Sequence, residues 1–175
     1  MDLYRTVFEV IDMRSFSNLW FWIALAVMWS TASHWVLGIP FDMVTRARRL
    51  GGQADRDLHD LVRINVNRML YITGVAGVWV LGFLCFILSA LLMLGFWYRV
   101  EFAQALFLLG FPMSLVWAIS LRAARRIRAR EETGPDLYRR LKRVRIATQA
   151  IGMISIFVTA LWGMYQNLSI GVLDY

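Results

Sequence analysis

The chain has 175 residues, enough for one domain, and is 59% hydrophobic with a mean hydropathy of +0.54, too apolar for an ordinary soluble domain. Nineteen Lys and Arg against twelve Asp and Glu give a net charge of +7. The basic residues are bunched rather than spread, so the charge points to one face of a membrane and its anionic lipids, and not to nucleic acid.

Asp2, Glu9 and Asp12 accompany Arg5 and Arg14 at the start of the chain. A cleavable signal would need a positively charged leader there, so the first apolar segment is expected to stay as a span. Four stretches then carry no Asp, Glu, Lys or Arg. They lie between Arg14 and Asp42, Arg68 and Arg99, Glu101 and Arg122, and Arg145 and Asp174, with 27, 30, 20 and 28 residues. A helix needs about 20 residues to cross a bilayer core. The expected fold is therefore all-α: an integral membrane four-helix bundle in one domain, residues 1–175, with spans at about 19–39, 70–97, 102–121 and 146–167.

Orientation follows from the positive charges. The connection 40–69 carries Arg46, Arg48, Arg49, Arg56, Arg63 and Arg68, and the connection 122–145 carries ten basic residues, whereas the turn near Trp97 has only Arg99. Short positive loops stay cytoplasmic, which places both termini on the periplasmic side of a bacterial inner membrane. Trp20, Trp22, Trp35, Tyr71, Trp97, Tyr98, Trp162 and Tyr165 fall where these boundaries put the headgroup layer.

Both basic connections read as helical extensions into the cytoplasm. Gly51 and Gly52 form a break, after which Leu58, Leu61, Val62, Val66 and Met69 make an amphipathic stripe running into the second span. The third span continues as a basic helix to Glu132, and Thr133 and Gly134 interrupt it. Pro135 suits the first turn of a new helix, which shows Leu137, Leu141 and Val144 on one side.

Gly152, Ser155, Thr159 and Gly163 in the fourth span are spaced for close helix contact, within the bundle or with a partner subunit. Ala26 with Ser30, and Gly74 with Gly77, are weaker versions of this pattern. His34 is the one ionisable residue well inside a span. Ser30 one turn before it would admit a flat macrocycle, which makes His34 a candidate ligand for a chlorophyll-type pigment or haem; the alternative is a neutral, hydrogen-bonded histidine near the interface. His59, beside Asp57 and Asp60, has no further His or Cys nearby to complete a metal site. Cys85 is the only cysteine and lies mid-span, so an intramolecular disulfide is excluded. No phosphate loop, nucleophile motif or intramembrane carboxylate occurs, so no catalytic residues are expected and the chain is not read as an enzyme. Arg125, Arg126, Arg128, Arg139, Arg140, Lys142 and Arg143 are the expected contacts for lipid headgroups.

The segments DMRSFSNLWFWIALAVMWSTASHWVLGIPFDMV, VEFAQALFLLGFPMSLV and IGMISIFVTALWGMYQNLS resemble a family of small, uncharacterised four-span inner-membrane proteins from alphaproteobacteria of the Rhodobacter group. Its members are often labelled as a component of the SUF iron–sulfur assembly complex. A fainter similarity, through HWVLGIPFDMV, is to the small four-span subunit of tripartite periplasmic transporters, although Arg46 and Arg48 stand where an acidic pair would be expected. The leading expectation is a non-catalytic accessory or scaffold subunit working with other membrane subunits, in a photosynthetic or respiratory assembly. A transporter subunit and a pigment- or haem-binding subunit are the alternatives.

Overall fold

Three helices are long and apolar enough to cross a membrane: Gly52–Trp97, Glu101–Arg130 and Gly134–Leu168, of 46, 30 and 35 residues. They belong to a computed structural model that describes residues 16 and 18–171, of 169–171 the backbone alone. The amino-terminal tail with Arg5 and Arg14, and the last residues, 172–175, lie outside the described residues, and with them the two termini whose side was inferred from charge. In chain order the elements are α1 (Leu19–His34), a ribbon of β1 (Trp35–Val36) and β2 (Ile39–Pro40), α2 (Phe41–Leu50), α3 (Gly52–Leu92), a π-helical turn (Met93–Trp97), α4 (Glu101–Arg130) and α5 (Gly134–Gly171).

α1 opens on Asn18, whose side chain accepts from the Trp20 amide, and its 16 residues cover about 24 Å. That is less than the roughly 30 Å of a bilayer core. The first span, expected to run helically over 19–39, is helical only to His34. Pro40 disfavours a helical Ile39. Leu37 and Gly38 both take positive φ, 54° and 73°, the pair of conformations that a tight two-residue hairpin turn requires. Trp35 then pairs with Pro40 and Val36 with Ile39, and the Asn65 side chain donates to the Gly38 carbonyl at 3.1 Å.

The buried core lies mainly among the charged segments and much less in the apolar ones. Val36, Leu37 and Ile39 of the ribbon meet Val44 and Ala47 of α2. They join Leu58, Val62 and Val66 of α3, Ala123, Ala124 and Ile127 of α4, and Leu137, Leu141 and Val144 of α5. The stripes legible in α3 and α5 are thus the inner walls of a helical cap. α2 had no such reading, yet it closes the cap before Gly51 and Gly52, at φ 60° and 55°, turn the chain into α3. This placement has a physical logic. Lipid tails are as apolar as leucine, so burial drives helix association where water is the alternative, and close packing and polar contacts must serve elsewhere.

In the apolar half, α3 packs on α4, α4 on α5, and α5 on α1. No comparable contact joins α1 to α3 among the described residues, so the helices form an open row rather than a closed four-helix ring. The most apolar stretch of α3 has no buried residue at all. Val78 and Trp79 are 85% and 83% exposed.

Candidate functional site

Two polar constellations stand out, one at each end of the row. At the cap end, the break between α4 and α5 is made by Glu131 and Gly134, at φ 47° and 54°. His59 of α3 reaches it: its Nε2 accepts from the Gly134 N–H at 3.1 Å. The proton therefore belongs on Nδ1, which lies 2.8 Å from the Asp55 carbonyl and 3.2 Å from Asp55 Oδ1. Both ring nitrogens are thus committed to holding α3 against the turn, which leaves neither as a base or metal ligand. The Tyr138 hydroxyl donates to Asp55 Oδ1, and this hydrogen bond, with burial, pushes the phenol up to about 12.

Beside this latch, Arg140 makes a forked contact to Glu132, with Nη2 at 2.6 Å from Oε1 and Nε at 3.1 Å from Oε2. The side chains are only 14% and 8% exposed. The Arg140 hydrogen bond holds the Glu132 carboxyl below the usual range against the opposing effect of burial, and Arg130 and Arg126 lower it further. A cavity of about 540 Å³ opens between α3 and the α4–α5 turn, with His59, Asp60, Arg63, Asn67, Arg128 and Glu131 on its wall. A second, of about 520 Å³, lies beside Arg130, Asp136, Arg139 and Arg143. Acids and bases alternate in both.

At the far end sits a residue that sequence reading passed over. Gln104 is 2% exposed. Its Nε2 donates to the Gly95 carbonyl at 2.8 Å, and its Oε1 accepts from Trp162 Nε1 at 2.9 Å and Gln166 Nε2 at 2.6 Å. The π-helical turn brings Gly95 so close that a Cβ there would stand 2.9 Å from the Gln104 backbone nitrogen. One level nearer the chain's start, the Phe16 amide donates to Glu101 Oε1 at 2.8 Å and its carbonyl accepts from Trp22 Nε1 at 3.0 Å. The available signal was a glutamine within a charge-free run, with a tryptophan and a second glutamine four apart in another.

The residues singled out in the sequence separate as follows. Gly152, Ser155, Thr159 and Gly163 all face other parts of this chain: Gly152 the Trp29 ring, Gly163 the rings of Phe16 and Trp22. Ser155 Oγ lies 3.4 Å from the Leu108 carbonyl, and Thr159 is wholly buried. His34 ends α1, exposed, with its ring 6.1 Å from that of Trp35. Ala26, Ser30 and Gly74 are exposed.

The basic residues expected at lipid do not act alike. Arg128 bonds to Asn67, Arg140 to Glu132, and Arg139 lies 3.7 Å from Asp136. Arg125, Arg126, Lys142 and Arg143 are exposed. Lys142 lines a cavity of about 320 Å³ with Arg48, Pro135 and Tyr138. Among the described residues no group of three or more His, Cys, Asp or Glu is placed to hold a metal ion.

Comparison with protein-family models, with curated proteins and with solved structures finds no match to this chain. Its class rests on its own physics: a helical protein with three helices able to cross a membrane.

Proposed function

We propose that the chain is a non-catalytic accessory or scaffold subunit of an inner-membrane assembly, crossing the bilayer four times with its cap in the cytoplasm. α1 is counted as the first crossing because it runs antiparallel along α5, from Trp22 beside Gly163 to Trp29 beside Gly152. The ribbon after α1 extends its path into the cap. The observation that carries the functional reading is the bareness of α3. A packed cap holds one end of a long apolar helix whose most apolar stretch has no fully buried residue, only partly covered ones on the side toward α4. That geometry suits a subunit that lays α3 along a neighbour while the cap fixes its angle and height.

Purification in mild detergent, with mass spectrometry of co-purifying chains and an absorption spectrum, tests the proposal. A membrane subunit recovered in fixed ratio, and lost when Val78→Arg and Trp79→Arg are introduced into α3, is the expected result. Recovery as a lone chain overturns the scaffold reading. A visible chromophore lost in His34→Gln moves the assignment to a pigment- or haem-binding subunit.

A further inference from the structure

Where α4 and α5 leave the apolar zone, a cavity of about 250 Å³ is walled by Arg122 and Arg126 of α4 and Arg140 and Arg143 of α5. The remaining wall is apolar: Ile119, Ala123, Val144 and Ala147. We infer that this cavity is a binding site for the phosphate of one anionic phospholipid, with the acyl chains lying over Ile119 and Ala147.

Charge balance supports this first. Four arginine side chains line one small space, and only Arg140 has a carboxylate within salt-bridge distance among the described residues, namely Glu132, so three of the four positive charges are unbalanced there. Arg126 also feels Glu132 at longer range. Arg122 and Arg143 have no such partner among the described residues and are exposed. Converging like charges repel unless an anion sits between them, and guanidinium forks match phosphate oxygens in shape and charge. The cavities nearer the α4–α5 turn differ, because Asp60, Glu131 and Asp136 interrupt the positive field there.

Position supports it next. Arg122 is the last charged residue before α4 becomes charge-free toward its start, and Arg145 is the last in α5 before its charge-free stretch. The floor residues lie on the apolar side of the arginines: Ile119 is three residues from Arg122, and Ala147 four from Arg143. The cavity is thus polar toward the cap and apolar toward the spans, the order of a phospholipid's own parts. Basic pockets between transmembrane helices on the cytoplasmic side are suited to such headgroups. Its size agrees as well. Pockets for drug-sized ligands run to about 300–1,000 Å³. This one is smaller, which favours a phosphodiester over a nucleotide.

The site is separate from the bare face of α3 and does not depend on the scaffold reading. Native mass spectrometry of the full chain in detergent, titrated with phosphatidylglycerol, cardiolipin, phosphatidylcholine or inorganic phosphate, tests it. One anionic lipid should be retained in preference to phosphatidylcholine. Arg122→Gln with Arg143→Gln should weaken retention by at least about tenfold, the loss of two guanidinium–phosphate contacts. Arg49→Gln with Arg68→Gln removes the same charge from exposed positions that line none of these cavities and should change it less than about twofold. Equal loss in both pairs means a diffuse basic surface and overturns the site. So does retention without headgroup preference. Competition by inorganic phosphate as effective as by lipid assigns the cavity to a free anion and overturns the lipid. Both pairs are surface changes, and matching helical circular dichroism and melting temperature establish that the folds being compared are intact.

Discussion

Gly152 lies so close under the indole of Trp29 that a Cβ built on it would stand 2.7 Å from Cε3. Hydrogen there is what lets α1 rest on α5, and Trp29, 5% exposed, fills the space a larger residue would need. Gly163 repeats the arrangement more loosely, with Phe16 and Trp22 each 3.3 Å from the corresponding point.

Gly152→Ala should therefore destabilise the protein by about 1–3 kcal/mol, the usual range for forcing a methyl into a filled space. Gly163→Ala should cost less, because the rings that meet it can give by a few tenths of an ångström. Thermal melts in detergent check both. Adding Trp29→Phe to Gly152→Ala should return part of the loss; a strictly additive double variant would mean that the two residues do not share the contact.

Gln104→Leu removes the acceptor for the Trp162 indole and the donor to the Gly95 carbonyl in one step. Interhelical hydrogen bonds in membranes contribute about 0.6–1.7 kcal/mol each, so a loss of about 1–3 kcal/mol is expected. The π-helical turn should loosen with it. Hydrogen exchange at Met93–Trp97 rising in the variant while the cap stays protected is the result that would localise the effect.

The two ends of the pH scale should separate two cap contacts. Glu132 is held below its ordinary 4.5, so its contribution is fully present above that value and disappears as pH falls through the lowered one. Glu132→Gln should flatten the acid limb of the stability profile and cost about 2 kcal/mol at neutral pH, between a surface and a buried pair. Tyr138 is raised from 10.0 to about 12. Its contribution is whole below pH 10.0 and vanishes as pH climbs through about 12. Phenolate absorbance should show one late-ionising tyrosine, absent in Tyr138→Phe.

Cys85 is the only cysteine, so Cys85→Ser provides a background for mapping sides. In it, Tyr98→Cys should react with a membrane-impermeant maleimide on intact cells. Thr133→Cys should react only after permeabilisation. The opposite pattern would mean that the cap faces outward and that the positive-charge reading of orientation is wrong.

Much of the cap was legible because water is the reference on its outer side, so period and polarity record the buried face. Leu58, Val62 and Val66, and Leu137, Leu141 and Val144, are buried along those stripes. The charge-free runs marked the long helices for a similar reason. α2 was missed because its ten residues make only about three turns, too short a run to stand out although Phe41, Met43, Val44 and Ala47 all meet the core. The end of α1 at His34 depends on two left-handed residues, Leu37 and Gly38, and leucine does not advertise that conformation. Gln104 was silent because a glutamine in an apolar run has no periodic signature; only the apposition of α4 with Trp162 and Gln166 on α5 gives it partners. The small-residue stripe of α5 was visible as spacing, whereas what fills it, Trp22 and Trp29, is a matter of which helix lies alongside.

Every core residue of the cap, from Val36 to Val144, is translated before the last charge-free stretch begins at Ile146. Along the chain, the fourth apolar segment thus follows every part of the cap. It continues a helix whose start the cap holds, so the cap fixes the height at which Gly152 and Gly163 meet Trp29 and Trp22. The cap is in this sense a template for the helices that leave it. A truncation after Arg145 should retain a protease-resistant cap, while loss of Leu141 or Ile39 should compromise insertion of a segment that touches neither.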